Sequence, residues 1–150
     1  MTRTDLLTFM RTRRYATQAS VSADGSPQAA VVGIAVTDNL EIVFDTLDST
    51  RKAINLRHNS RIAFVIGGSA TGDERTVQYE GVADEPTGDE LERLKKIYFR
   101  QFPDGPERLK WPGIMYLRTR PIWIRFSDYN PNPPEVIEFG AREINQLVAE

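Results

Sequence analysis

Residues Ser49 to Ile66 read STRKAINLRHNSRIAFVI. This stretch decides the fold, because three kinds of structure meet in it. Two hydroxyls and two cations open it, a helix from about Thr50 to Asn59 follows, and an apolar strand from Arg61 to Ile66 closes it. It carries Arg51, Lys52, Arg57 and Arg61, and no acidic residue occurs from Ser49 to Gly72. The chain as a whole has a net charge of -2, so the local excess of cations stands out. An alternating strand, LEIVFDT, leads into it through the turn Leu47-Asp48-Ser49-Thr50. A strand that delivers hydroxyls, backbone N–H groups and adjacent cations to a helix start makes an anion-binding pocket. Its physical basis is the unpaired donors and the positive dipole end of the helix. The chemistry suits a phosphorylated cofactor.

Upstream, Thr4 followed by DLLTFM predicts a capped helix with Leu6, Phe9 and Met10 on one face. Tyr15 to Val21 alternates, with Tyr15, Thr17, Ala19 and Val21 on one side. Asp24-Gly25 is a hairpin signal. Gln28 to Thr37 is almost continuously apolar and predicts a strand buried on both faces. Leu40 to Asp45 alternates again, with Leu40, Ile42 and Phe44 inward, which completes a three-stranded antiparallel meander. Downstream, Gly67 to Glu74 is a loop. Arg75 to Ala83 is a strand in which Gly81 marks a bulge or a close backbone approach. Thr87 to Glu90 is a capping box for a helix bearing Leu91, Leu94, Ile97 and Tyr98. Asp89–Arg93 and Glu92–Lys96 are candidate i,i+4 pairs on that helix. Phe102 to Gly113 holds three prolines and two glycines and is a loop. Ile114–Leu117 and Pro121–Phe126 are two strands or one bent one. Val136–Phe139 is a short edge strand, and Ala141–Ala149 is a terminal helix.

The 150 residues suit a single domain with a full core, spanning 1–150. The absence of cysteine excludes disulfides, thiolate metal sites and cysteine nucleophiles. The N-terminus lacks the apolar run of a signal peptide, and no segment approaches the ~20 apolar residues of a membrane span. The near-balanced charge argues against a nucleic-acid partner. A cytoplasmic protein is the expectation. The order of elements favours a mainly β (α+β) architecture, an antiparallel six- to seven-stranded Greek-key split barrel with peripheral helices.

The segments GSPQAAVVGIAV, VFDTLDSTRKAINLRHNSRIAFVI and TVQYEGVA resemble the FMN-binding split-barrel family of pyridoxamine 5′-phosphate oxidase, from about Tyr15 to Phe126. The middle segment carries most of the likeness: aromatic-x-Thr, Ser/Thr-Arg-Lys, Asn-Leu and Asn-x-Arg, then an apolar strand. RPIWIRFSDY is similar to the closing strand of small, general-stress-protein-like members. The resemblance implies that Thr46, Ser49, Arg51 and Lys52 grip the flavin phosphate. It implies that Ala30, Val31, Val32 and Gly33 lie against the flavin ring and offer it backbone hydrogen bonds. Thr76 and Gln78 would stand at the ring's polar edge, and Trp123 and Arg125 would form a second wall. It further implies a homodimer with flavin at the subunit interface and redox chemistry on a small molecule.

Deazaflavin-using proteins share much of this turn, so a deazaflavin coenzyme is the alternative cofactor. A non-catalytic flavin-binding or sensor protein is the alternative function. Pyridoxamine phosphate oxidases carry a C-terminal Arg-x-His element. This chain offers Arg118, Arg120 and Arg125 there, and its one histidine, His58, falls on the helix after the turn. Trp111 and Trp123 also read as core or interface anchors. Asp84-Glu85 and Asp89-Glu90 read as capping and solvation rather than a metal site, and no metal is expected.

Overall fold

The computed structural model describes residues 1–150. Eight antiparallel strands form one curled sheet, with four α-helices around it. In chain order the elements are α1 (Arg3–Arg11), β1 (Tyr15–Val21), β2 (Pro27–Gly33), β3 (Ala35–Val36), β4 (Ile42–Leu47), α2 (Arg51–His58), β5 (Arg61–Gly67), β6 (Arg75–Asp84), α3 (Gly88–Gln101), a 3-10 helix (Gly105–Lys110), β7 (Ile114–Asp128), β8 (Glu135–Phe139) and α4 (Ala141–Ala149). The sheet runs β2-β1-β5-β6-β7-β4-β3, and β8 pairs with the second half of β7. The fold is the antiparallel split barrel that the sequence predicts.

The three-stranded meander does not form. The apolar run Gln28–Thr37 breaks at Ile34, so β2 stays with β1 while β3 pairs with β4. β4 then takes β7 as its other neighbour. β2 therefore has one unpaired edge facing the side of β4, and this is the split. Nor is the run buried on both faces: Val32 is buried, but Val31 is 68% exposed. The alternation of β1 forms as expected, and the structure decides its sense. Ala16, Gln18 and Ser20 point into the barrel, and Tyr15, Thr17 and Ala19 point out. In a strand of small residues the two faces carry similar hydropathy, so the pattern alone does not choose between them.

Inside the barrel, Phe44, Phe64 and Tyr79 meet edge to face at 5.8–5.9 Å. Leu6, Phe9 and Met10 of α1 join this core, as do Ile144 and Leu147 of α4. A second, smaller core of Ala35, Val43, Leu94, Tyr98, Phe102 and Tyr116 lies between α3 and the outer face of β3, β4 and β7. Helix caps depart from expectation in two places. Thr2, rather than Thr4, caps α1 in a reciprocal box with Asp5. Thr87 precedes α3 without a side-chain capping bond, because Glu90 turns instead to Arg93 at 2.7 Å and Arg118 at 2.6 Å. The helix pairs are accordingly Glu90–Arg93 and Glu92–Lys95, both i,i+3. The loop after α3 contains a 3-10 turn, and Ile114–Asp128 is one continuous strand. A register shift between Glu80, opposite Trp123, and Gly81, opposite Pro121, leaves Ile122 of that strand as the extra residue, so Gly81 marks a bulge as expected. No helix is long and apolar enough to cross a membrane.

Candidate functional site

The turn after β4 is built as the sequence requires. Thr46 faces the barrel mouth and shares a hydrogen bond with the Thr50 hydroxyl at 3.0 Å. Thr50 is the N-cap of α2, accepting from the Ala53 N–H. That leaves the first turn of α2 with no acidic residue and two cations, Arg51 and Lys52. Ser49 is exposed on the turn beside them. The nearby ion pair is used elsewhere: Arg57 binds Glu85 at 2.9 Å. His58 lies exposed at the C-terminal end of α2. Asp48, the one carboxylate of the turn, is directed toward Gly113, whose carbonyl accepts the Asp48 N–H at 2.8 Å.

Lys52 is the informative member. It is half-buried, it makes no ion pair, and burial alone pulls its ammonium below the usual lysine value. A desolvated cation without a counter-charge, at a helix end that already carries positive potential, is unfavourable by itself. An anion docked at this corner would reverse both terms.

The barrel's outer face is readable row by row from the strand registers. One row runs Val31, Thr17, Val65, Gln78, Arg125, Glu138, and the next runs Ala29, Ala19, Ala63, Glu80, Trp123. The β2-β1-β5 half is apolar and made of small side chains, and the β6-β7 half is polar. Between them lies a depression of about 320 Å³, floored by the alanines and bounded by Gln78, Glu80 and Trp123. Val65 is 46% exposed and Tyr15 is 59% exposed on the same face. Of the residues expected at a ring, Val31, Gln78, Trp123 and Arg125 share this face. Thr76 belongs to the row of Tyr15 and Gly33. Ala30 and Val32 point inward, so only their backbone edges are available at the split.

Helix α2 is tied to the same strands. Asn55 donates to the Ser20 hydroxyl and to the Gln28 side-chain carbonyl, both at 3.1 Å. The cationic turn is thereby fixed to the β1-β2 hairpin that carries the ledge. Asn55 and the alanines that floor the depression are not readable as site residues from the sequence, whereas Thr50 is, as a hydroxyl of the turn. Asn-Leu was visible only as a motif, and alanine carries no chemical signal.

The arginines of the closing strand behave differently from one another. Arg118 is buried, with Asp84 at 2.7 Å and Glu90 at 2.6 Å, and Arg120 also binds Asp84, at 2.8 Å. Neither is free for a ligand. Arg125 remains on the outer face, with Glu138 3.5 Å away. Trp111 is 52% exposed, so it is not a core residue, and Tyr129 is 54% exposed.

The family model described as pyridoxamine 5′-phosphate oxidase matches residues 3–126. The chain belongs to the pyridoxamine 5′-phosphate oxidase family. Among curated members it is 32% identical, over 127 residues, to the pyridoxine/pyridoxamine 5′-phosphate oxidase of Bordetella avium. That match covers 79% of this chain and 58% of the relative, so the chain spans little more than half of the relative's length. Among solved structures it is similar to a heme binding protein from Mycobacterium smegmatis, with TM-score 0.82 and 16% identity over 97% of this chain and 61% of that one. It is also similar to a family-related, FMN binding protein from Nostoc punctiforme, with TM-score 0.70 and 13% identity over 91% of this chain and 87% of that one. At these identities the structural likeness carries the fold. Members of one family fold are thus described with different prosthetic groups, and the choice here rests on this chain's own side chains.

Proposed function

We propose that the chain is an FMN-binding oxidoreductase acting on a small molecule, with the flavin held at the interface of a homodimer. The observation that carries this reading is the uncompensated pair Arg51 and Lys52 on the first turn of α2, beside the hydroxyls of Thr46, Ser49 and Thr50. These residues fit a phosphate monoester. Lysine supplies a point charge, arginine a planar fork, and the helix N-terminus free N–H donors. The alanine-floored depression and the free edge of β2 fit a flat ring.

When bound, FMN would supply the hydride or electron chemistry itself. The chain's part is to bind and orient it. Backbone groups of Ala30–Gly33 on the unpaired edge would donate to the ring. Gln78 and Thr76 would place polar groups at its edge, and Val31, Val65 and Trp123 would exclude water. A second copy covering the exposed Val31, Val65 and Tyr15 accounts for an apolar patch otherwise left in water.

The test is to purify the protein, record its absorption spectrum and measure the mass of any released ligand. FMN, a deazaflavin coenzyme and haem differ in both. The exposed position of His58 leaves the chain's only histidine outside both the barrel and the ledge. Flavin-free protein should bind FMN far more tightly than riboflavin, and equal affinities would refute the phosphate assignment. Val31→Asp should yield a monomer that no longer retains FMN, as measured by sedimentation and spectrum together. Tight FMN binding without turnover of any electron donor would favour a sensor or store.

A further inference from the structure

The end of the β2 edge remote from the cationic turn is built unlike the rest of the ledge. Gly33 has no side chain, and the ring of Phe102 takes that space: a Cβ at 33 would stand 2.6 Å from Phe102 Cζ. Tyr98 stacks on Phe102 with ring centres 4.9 Å apart, and Tyr15 meets it edge-on at 6.2 Å. The Arg14 guanidinium lies on this platform, 4.9 Å from the Phe102 ring centre and 5.9 Å from that of Tyr15. The neighbouring arginines are committed. Arg13 binds Asp73, and Arg11 binds the Val36 carbonyl and Asp38. Arg14 is exposed, and its guanidinium has neither a carboxylate nor a hydrogen-bond partner, only its carbonyl being engaged, by the Ile34 N–H.

A guanidinium laid on aromatic rings is held in one orientation while its in-plane N–H donors stay free. Helix-dipole compensation does not require Arg14. Arg11 already occupies the last turn of α1, and Arg14 lies beyond the helix at the head of β1. Nearby, Arg11, Arg13 and Arg100 line with a single acid, Asp38, a cavity of about 260 Å³ beside Ile34 and Gln101.

We propose that Arg14 is a specificity-determining residue that takes the carboxylate or phosphate of a small molecule bound at the Gly33 end of the split. The rings of Phe102 and Tyr15 hold the guanidinium in place, and Tyr15, 59% exposed, gives the ligand's body an apolar wall. The substrate class is therefore a small molecule that pairs an apolar, planar body with one oxyanion. This inference deepens the flavoprotein reading and rests on it.

The test uses the full chain, with and without FMN. Benzoate, its uncharged analogue benzamide, and inorganic phosphate are titrated against the FMN-loaded protein by flavin absorbance. The same titrations on flavin-free protein are followed by intrinsic fluorescence. Benzoate should bind about tenfold more tightly than benzamide, the equivalent of one charge-assisted hydrogen bond. Arg14→Gln should erase that preference while FMN affinity stays within about twofold. Phe102→Leu keeps an apolar side chain but removes the flat platform, and should cut the preference to about threefold. Equal affinity for benzoate and benzamide in the native protein would overturn the inference, as would a preference that survives Arg14→Gln. So would the absence of saturable binding of either benzoate or phosphate below about 10 mM. Failure of the native protein to bind FMN would instead remove the cofactor reading, which the fluorescence titration separates from the anion preference.

Discussion

Two cationic regions of this molecule look alike in sequence and differ in kind. Around Arg118, three arginines face three acids: Arg118 and Arg120 bind Asp84, Arg118 and Arg93 bind Glu90, and Glu41 lies 3.7 Å from Arg118. This closed network fastens β6, β7, α3 and the residue that leads into β4 to one another. At the start of α2, Arg51 and Lys52 make no ion pair, the first turn holds no acid, and Asp48 of the preceding turn is directed toward Gly113. The first region is neutral within the fold, and its arginines are structural. The second is left positive, with one cation partly desolvated, and is the corner to which the proposed function assigns an external anion. The presence of arginine in a motif says little by itself. Whether the fold already supplies its counter-charge decides its role.

Removing a partner from the closed network should have the largest effect. Arg118→Met removes the buried cation shared by Glu41, Asp84 and Glu90, leaving only the more exposed Arg120 and Arg93, and should destabilise the protein by about 3 kcal/mol, read by denaturant unfolding. The lower end of the buried-pair range applies because Asp84 is 37% exposed. FMN affinity of the folded fraction should not change. A loss below about 0.5 kcal/mol would show that the network contributes no more than ordinary surface pairs.

The open region should behave oppositely. Arg51→Ala with Lys52→Ala should weaken FMN about 100-fold and riboflavin hardly at all, with little change in unfolding free energy. Equal losses for both ligands would erase the distinction between the two regions. Gly33→Ala, which meets Phe102, should destabilise by about 1–2 kcal/mol, and Phe102→Leu in the same chain should restore part of it.

Acid separates the regions again. In the folded protein, burial raises Asp84, but its bonds to Arg118 and Arg120 bring it below the usual aspartate value. Glu90 is lowered chiefly by Arg93 and also by Arg118. Carboxylates lowered on folding stabilise fully above their unfolded values, near about pH 4, and lose that contribution as pH falls through the folded values. Stability should therefore fall below about pH 4, and less steeply in Arg118→Met. Lys52 has the reverse sign: its folded value is lowered, so its charge opposes folding at neutral pH. Lys52→Met should raise the melting temperature of the flavin-free protein by about 1–2 °C while weakening FMN. A drop in melting temperature would mean that Lys52 has a partner within the fold.

Much of this was legible from the chain alone. The hydroxyl-Arg-Lys-helix-strand series is local, so its spacing fixed the turn, α2 and β5, and pointed to an anion. The alternation of β1 and the apolar run of β2 were legible as strand but not as orientation, because alanine, threonine and valine suit either face. The capping box expected at Thr87 was lost because Glu90 found a stronger partner in Arg118, 28 residues away.

The sequence by itself determined the elements, the family and the local excess of positive charge, because each is written in neighbouring residues. Only the tertiary structure decided which cations are neutralised, where the β2 edge is left unpaired, and that Phe102 fills the space above Gly33. Those outcomes join residues far apart in the chain, such as Arg118 with Asp84 at a separation of 34. Charge compensation and packing act through distance in space, to which the order of residues gives no direct measure.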